Sequence, residues 1–261
     1  MRIALGISYN GGAYQGWQSQ LSGLTVQDKL EAALGRFTNQ PRLGTLCAGR
    51  TDAGVHGLMQ VVHFDTSVDR VEPSWVRGTN AHLPRDIAVQ WARKVPPEFH
   101  CRASAISRRY IYIVLESPVR PSLDVCRVGW VYHALDGQAM NDAATLLLGE
   151  HDFSSFRASS CQALSPVKNM LRIDITRRGA YWRFEFEANA FLHHMIRNIM
   201  GCLIVIGQGK YAPAWIEEIV AARNRVVAAP TFSPDGLYFV GPRYDTDWGL
   251  PDQSLAYDGL P

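Results

Sequence analysis

"RRYIYIVLE", residues 108–116, sets Tyr110, Tyr112 and Val114 on one side of an extended chain and Ile111, Ile113 and Leu115 on the other. Such period-two alternation predicts a β-strand. Upstream, "MRIALGISY" (1–9) has the same rhythm, with Ile3, Leu5, Ile7 and Tyr9 on one face, the pattern of a half-buried strand. The segments after these two strands are alike as well. The first is succeeded by a helix over 25–38, with Val26, Leu30, Leu34 and Phe37 on one face, and by strands at 58–64 and 87–95. Thr25 with Asp28 forms a variant of the capping box at that helix's start. The second is succeeded by a helix over 136–149 and two strands within 169–188, joined by a turn at Arg178–Gly179. Apolar helices at 191–207 and 213–225 and a last strand at 236–241 complete the series.

The sequence therefore predicts an α+β fold of two tandem, pseudo-symmetric β-α-β-β (ferredoxin/RRM-like) halves. They are expected to share a largely antiparallel central sheet, with helices on its outer face and a cleft between the halves. The expected boundaries are an N-terminal half over 1–101, a C-terminal half over 102–245, and a weakly ordered Gly/Pro/Asp-rich tail over 246–261.

At 261 residues and 47% hydrophobic composition the chain can bury a substantial core. No apolar run reaches the length of a membrane span, and the N-terminus lacks a signal-peptide core, so no membrane partner is expected. Five scattered cysteines without a C-x-x-C pair point to reduced thiols in the cytoplasm rather than a disulfide framework or thiolate zinc site. The net charge is +2, but five Asp and one Arg lie after residue 228, leaving 25 basic against 19 acidic groups before it. Of the 26 basic residues 22 are Arg, which suits phosphate recognition; genomic base composition yields the same bias.

"AGRTDAGVH" (48–56) places Asp52 among a guanidinium, small residues and an imidazole. A turn would use Asp, Gly49, Ala53 and Gly54 in just this way. Arg197 gives Asp52 a second reading. Its helix carries Leu192, Met195, Ile196, Ile199, Met200, Leu203 and Ile204, and a guanidinium there must either snorkel to water or meet a carboxylate. Asp52 is the natural candidate, and a carboxylate held ionised in a cleft serves as nucleophile or base.

Several blocks together resemble the TruA family of tRNA pseudouridine synthases: "SYNGGAYQGWQSQ" (8–20), "AGRTDAGVHGLMQVVHF" (48–64), "FHCRASAISRRYIYIV" (99–114), "LLGEHDFSSFRASSCQALSPVKNM" (147–170) and "FLHHMIRNIMG" (191–201). The resemblance implies an isomerase that converts uridines 38, 39 and 40 of the tRNA anticodon stem-loop to pseudouridine. It makes Asp52 the catalytic carboxylate and Tyr110 the aromatic that stacks on the target base. Arg197 becomes the partner of the aspartate, and Arg50 the arginine that assists base flipping. It further implies tRNA contacts through Phe99, His100, Cys101, Arg102 and Ala103 and through Ser160, Cys161, Gln162, Ala163 and Leu164, and a homodimer. Asn10, Cys101, Ala103 and Ile111 depart from the common family pattern, and bear on RNA contact rather than chemistry.

The reaction exchanges N1–C1′ for C5–C1′ with no redox change, so neither cofactor nor metal is expected. A base inside a stem must first be flipped. Two other readings compete. Asp52 and His56, four residues apart, could serve a metal-dependent phosphohydrolase, but Gly54 and Gly57 oppose the helix this spacing needs. A non-catalytic RNA-binding module could use Tyr110 and Tyr112 as stacking platforms, but has no use for a glycine-cradled Asp.

Overall fold

A computed structural model of the chain describes residues 1–251. Its strands are β1 (Arg2–Tyr9), β2 (Leu46–Cys47), β3 (His56–Asp65), β4 (Ile87–Val95), β5 (Ser107–Glu116), β6 (Gly129–Val131), β7 (Gly149–Asp152), β8 (Val167–Arg178), β9 (Tyr181–Ala188) and β10 (Leu237–Arg243). The α-helices are α1 (Val26–Thr38), α2 (Glu72–Asn80), α3 (Gly137–Thr145), α4 (Met195–Gly207) and α5 (Trp215–Ala222). The fold is α+β, with mostly antiparallel pairing. None of the described helices is long and apolar enough to cross a membrane.

The chain forms two compact units: Met1–Arg108 with the described residues from Tyr238 onward, and Arg109–Leu237. The last strand thus returns to the first unit, whereas the sequence pattern kept everything from 102 to 245 together. Tail residues 252–261 lie outside the described residues. Before them, Tyr244, Trp248 and Leu250 pack against the first unit's core, with Phe99 5.3 Å from both the Tyr244 and Trp248 rings.

In the first unit the strands run β4-β1-β3-β10, with β2 beside β3. β1 is antiparallel to both β3 and β4, and β10 joins β3 in parallel, Tyr238 opposite His56. Ile3, Leu5, Ile7 and Tyr9 pack with Val26, Leu30 and Leu34 of α1 and Trp75 of α2. Trp17 lies in the same core, 5.8 Å from the Tyr9 ring. A half-buried β1 is expected from the sequence, but its other face is covered too: Ala4 packs with Trp91, Val61 and Phe99. Thr25 caps α1, its Oγ1 accepting the Asp28 N–H at 3.2 Å, as the spacing predicts.

In the second unit the order is β5-β9-β8-β7, with β6 parallel to β5. Asp136 caps α3 by accepting from the Gln138 and Ala139 N–H groups. α3 packs on α4 and β8. α4 begins at Met195, four residues later than the apolar pattern alone suggests, because His194 adopts a left-handed φ of 62° and breaks the helical run.

Candidate active site

Loop 48–56 of the first unit leads from β2 into β3. Asp52 opens a turn closed by the Val55 N–H on the Asp52 carbonyl (3.1 Å), with Gly54 at φ 82°, a value suited to glycine. The turn reading is therefore correct, and compatible with a further role: Asp52 is half-buried and Arg50 exposed. The loop is fixed from several directions. The Thr51 carbonyl accepts the Trp17 N–H at 3.0 Å, and the Tyr14 carbonyl accepts the Gly54 N–H at 3.3 Å. His56 is buried, stacks on Tyr238 at 4.6 Å, and accepts the Gly11 N–H on Nδ1 at 3.1 Å. Gly11 and Gly16 allow this close docking. A Cβ at Gly11 would lie 1.9 Å from the Val55 carbonyl oxygen, and one at Gly16 2.7 Å from that of Thr51.

Asn10, where many members of the resembling family carry Asp, accepts the Gly12 N–H on Oδ1 at 3.0 Å. An amide oxygen caps this short turn as a carboxylate would.

The stretch 99–103 lies against β2. Cys101 Sγ donates to the Leu46 carbonyl at 3.2 Å, and Arg102 reaches Cys47 Sγ at 3.7 Å. Phe99 and Cys101 are core residues, His100 is half-buried, and Arg102 and Ala103 are exposed. Cysteine in place of alanine thus fills core space. Burial pushes its thiol up to about 12.

His63, His100 and Cys101 bring nitrogen and sulfur atoms within 4.8 Å of one another, close enough to suggest a metal. The hydrogen bonds argue otherwise. His63 Nδ1 accepts the Cys101 N–H, and His100 Nδ1 accepts the Arg102 and Ala103 N–H groups. Both rings are thereby held in the tautomer with Nε2 protonated, which offers donors rather than ligand lone pairs.

In the second unit Tyr110 is buried on β5, its ring edge-on to Phe191 at 5.2 Å. Phe191 begins the turn that precedes α4, and the same turn receives loop 158–164. The Ala158 N–H donates to the His193 carbonyl at 3.0 Å, Ser160 Oγ lies 3.1 Å from His193 Nδ1, and the His193 N–H reaches Cys161 Sγ at 3.4 Å. Arg157 holds the loop from below, donating to the carbonyls of Cys161 and Ala163 at 2.8 Å each. Ser160, Gln162 and Leu164 are exposed, Cys161 and Ala163 partly so. Burial raises the Cys161 thiol, but the Ala163 and His193 N–H groups and Arg157 outweigh it and leave it below its ordinary value. Phe191, His193 and Arg157 lie inside blocks that carry the family resemblance, but the sequence does not single them out as the groups that hold this loop.

Arg197 is half-buried on α4. Its Nε–H donates to the Phe232 carbonyl at 3.0 Å, and its own carbonyl accepts the Phe232 N–H at 3.1 Å. A guanidinium with a backbone acceptor in its own unit is not the fully solvated group that snorkelling describes. Neighbouring Asn198 is buried and structural: Nδ2 donates to the Phe156 carbonyl at 2.7 Å, and Oδ1 accepts from Thr231 at 2.7 Å and Arg225 at 3.1 Å. Tyr112, also buried, donates its hydroxyl to the Ser233 carbonyl and serves the core.

A family model described as tRNA pseudouridine synthase matches residues 7–102 and 143–245. Proteins called tRNA pseudouridine synthase A from Albidiferax ferrireducens and Polaromonas naphthalenivorans are similar to this chain at 72% and 71% identity, each over the whole of both chains. One from Delftia acidovorans reaches 65%, again over both full lengths. A chain of a Cbf5–Nop10–Gar1 complex superposes with a TM-score of 0.36 and 12% identity, over 89% of this chain and 47% of that one. Blocks that flank the Asp52 loop and α4 both fall within the matched residues, and this chain belongs to the tRNA pseudouridine synthases, a family of isomerases.

Proposed function

We propose that this protein isomerises uridines 38, 39 and 40 in the anticodon stem-loop of tRNA, with Asp52 as nucleophile on a flipped-out base. Asp52 attacks at the base or the sugar as N1–C1′ breaks. The freed uracil turns, C5 bonds to C1′, and the C5 proton leaves while N1 gains one. Tyr110 receives the face of the flipped base, Arg50 assists the flip, and Arg197 is the basic residue that partners the aspartate. Exposed Arg102, Ser160, Gln162 and Leu164, with half-buried His100, offer the RNA contacts. The enzyme acts as a cytoplasmic homodimer.

The observation that supports this reading best is the state of loop 48–56. A half-buried carboxylate beside an exposed arginine stands on a backbone pinned at Thr51, Gly54 and Val55, which is how a reactive group is kept pre-oriented. The test is incubation with unmodified tRNA followed by chemical mapping of pseudouridine. Wild-type protein is expected to modify positions 38–40, with or without EDTA. Asp52→Asn is expected to modify none while binding tRNA within a few-fold of wild type, since affinity comes from many phosphate contacts. Residual turnover above about one per cent in Asp52→Asn removes the aspartate from the nucleophile role.

A further inference from the structure

The first unit contains a set of polar groups that its core does not need. Gln60 is fully buried on β3, Tyr9 lies 4% exposed at the end of β1, and Thr51 is 7% exposed in the Asp52 loop. Gln60 Oε1 accepts the Gly49 N–H at 3.4 Å, and its Nε2 donates to the Gly49 carbonyl at 2.5 Å. The Tyr9 hydroxyl lies 2.9 Å from Thr51 Oγ1. Burial and apolar packing dominate around these groups, and leucine, phenylalanine and valine would fill the same space without loss of hydration.

The placement of the contacts is informative. β2 pairs with β3 through Cys47 opposite Val62, and the ladder extends to the Ala48 N–H on the Val61 carbonyl at 2.9 Å. One step further the Gln60 carboxamide takes over from backbone, holding both polar groups of Gly49. Two residues on, Thr51 is held by its hydroxyl through Tyr9 and by its carbonyl through Trp17. With the backbone at 49 and 51 held from the inner side, Arg50 and Asp52 are left on the outer side of the loop. That matches the exposure of Arg50 and the partial exposure of Asp52.

We infer that Gln60, Tyr9 and Thr51 are positioning residues, buried hydrogen-bonding anchors that aim Asp52 and Arg50 for the reaction. The inference rests on Asp52 being the reactive group. Its signature is a loss of rate without a loss of binding, because these groups are buried, and a small misplacement of a reacting group costs up to about a hundred-fold in rate.

The experiment measures single-turnover rate at saturating tRNA, tRNA affinity and melting temperature for Tyr9→Phe, Thr51→Val, their double variant, Thr51→Ser and Asp52→Asn. Tyr9→Phe and Thr51→Val are each expected to slow turnover at least ten-fold with affinity within two-fold of wild type. The double variant is expected to be no slower than the slower single, since both break one link. Thr51→Ser, which restores the hydroxyl, is expected to recover most of the loss. Turnover within two-fold of wild type in Tyr9→Phe or Thr51→Val overturns the inference, whatever happens to melting. So do additive losses in the double variant, a loss confined to affinity, or a Thr51→Ser as slow as Thr51→Val. Tyr9→Phe removes one oxygen from a ring that keeps its packing on Trp17, so it decides alone should Thr51→Val fail to fold. Full activity in Asp52→Asn instead defeats the reading of Asp52 itself, whereas an inactive Asp52→Asn beside fully active Tyr9→Phe and Thr51→Val defeats only the positioning role.

Discussion

Replacing Asn198 by alanine tests how the second unit seats Arg197. Asn198 is fully buried, and three groups depend on it: the Phe156 carbonyl, the Thr231 hydroxyl and an Arg225 N–H. These losses are unequal. Thr231 is exposed and Arg225 partly so, and water can replace Asn198 for both. Phe156 is fully buried, and its carbonyl finds no water in the variant. An unsatisfied buried acceptor costs about 1–3 kcal/mol, and two rehydrated partners add about 1 kcal/mol together. The expected loss is therefore about 2–4 kcal/mol, which for a chain of this size lowers the melting temperature by roughly 5–15 °C. Thr231→Val, which removes only the exposed partner, is expected to cost less than about 1 kcal/mol. Both are measured by urea denaturation and thermal melting, alongside single-turnover isomerisation. Phe232, next to Thr231, accepts the Arg197 Nε–H, so Asn198→Ala is also expected to slow turnover in protein that is still folded. An Asn198→Ala variant no less stable than Thr231→Val would refute the claim that the buried Phe156 bond carries most of the loss.

Three further outcomes are expected. Burial, then His100 and Arg2, push His63 down to about 4, with Asp65 opposing. The unfolded chain then binds the extra proton, so stability is full above about pH 6.5 and falls toward pH 4, by about 3 kcal/mol at most; urea melts at pH 7 and 5 should show a slope that His63→Gln flattens. Tyr110→Phe is expected to bind and cleave normally if the ring alone receives the base, and to stall after glycosidic cleavage if its hydroxyl takes the C5 proton, whereas Tyr110→Leu fails in both cases; chromatography of the products separates these, and a fully active Tyr110→Leu excludes both roles. Brief alkylation of the native protein at pH 7 with mass-spectrometric readout should label Cys161 and exposed Cys126 and spare buried Cys47, Cys101 and Cys202, with Cys161 the faster because its thiol lies below the ordinary value.

Those parts of the fold whose own period specifies them are legible in the chain. β1, α1, β4, β5 and the β8–β9 hairpin carry sustained alternation or helical spacing, and they fall where that spacing puts them. α2 does not declare itself. "EPSWVRGTN" contains Pro, Gly, Thr and Asn, and its N-terminal flank, Val71, makes no side-chain cap. It is helical because Trp75 is fully buried against Phe37 and Phe64, at 5.3 and 5.4 Å. β2, β6 and β7 have two to four residues each and exist only by pairing with longer strands, which a local pattern does not carry. The candidate site divides the same way. Asp52 stands out through its glycines, but the groups that hold its loop come from positions 9, 14, 17 and 60, and nothing local to the loop points to them.

The return of β10 to the first unit has a consequence for biosynthesis. The parallel neighbour of β3, and the Tyr238 ring on which His56 stacks, are supplied by residues that leave the ribosome after the whole of 109–237. The unit that begins the chain is therefore the last to be completed. During translation the Asp52 loop must wait, with the His56–Gly57 start of β3 unpaired on one flank, until the intervening unit has emerged and had time to fold. A nascent chain arrested at Leu237 would already contain Asp52, Arg50, Tyr110 and Arg197, yet lack the strand that closes the sheet beside the loop. Such a chain is expected to be inactive, because the strand beside the start of β3 and the ring that stacks on His56 are both missing.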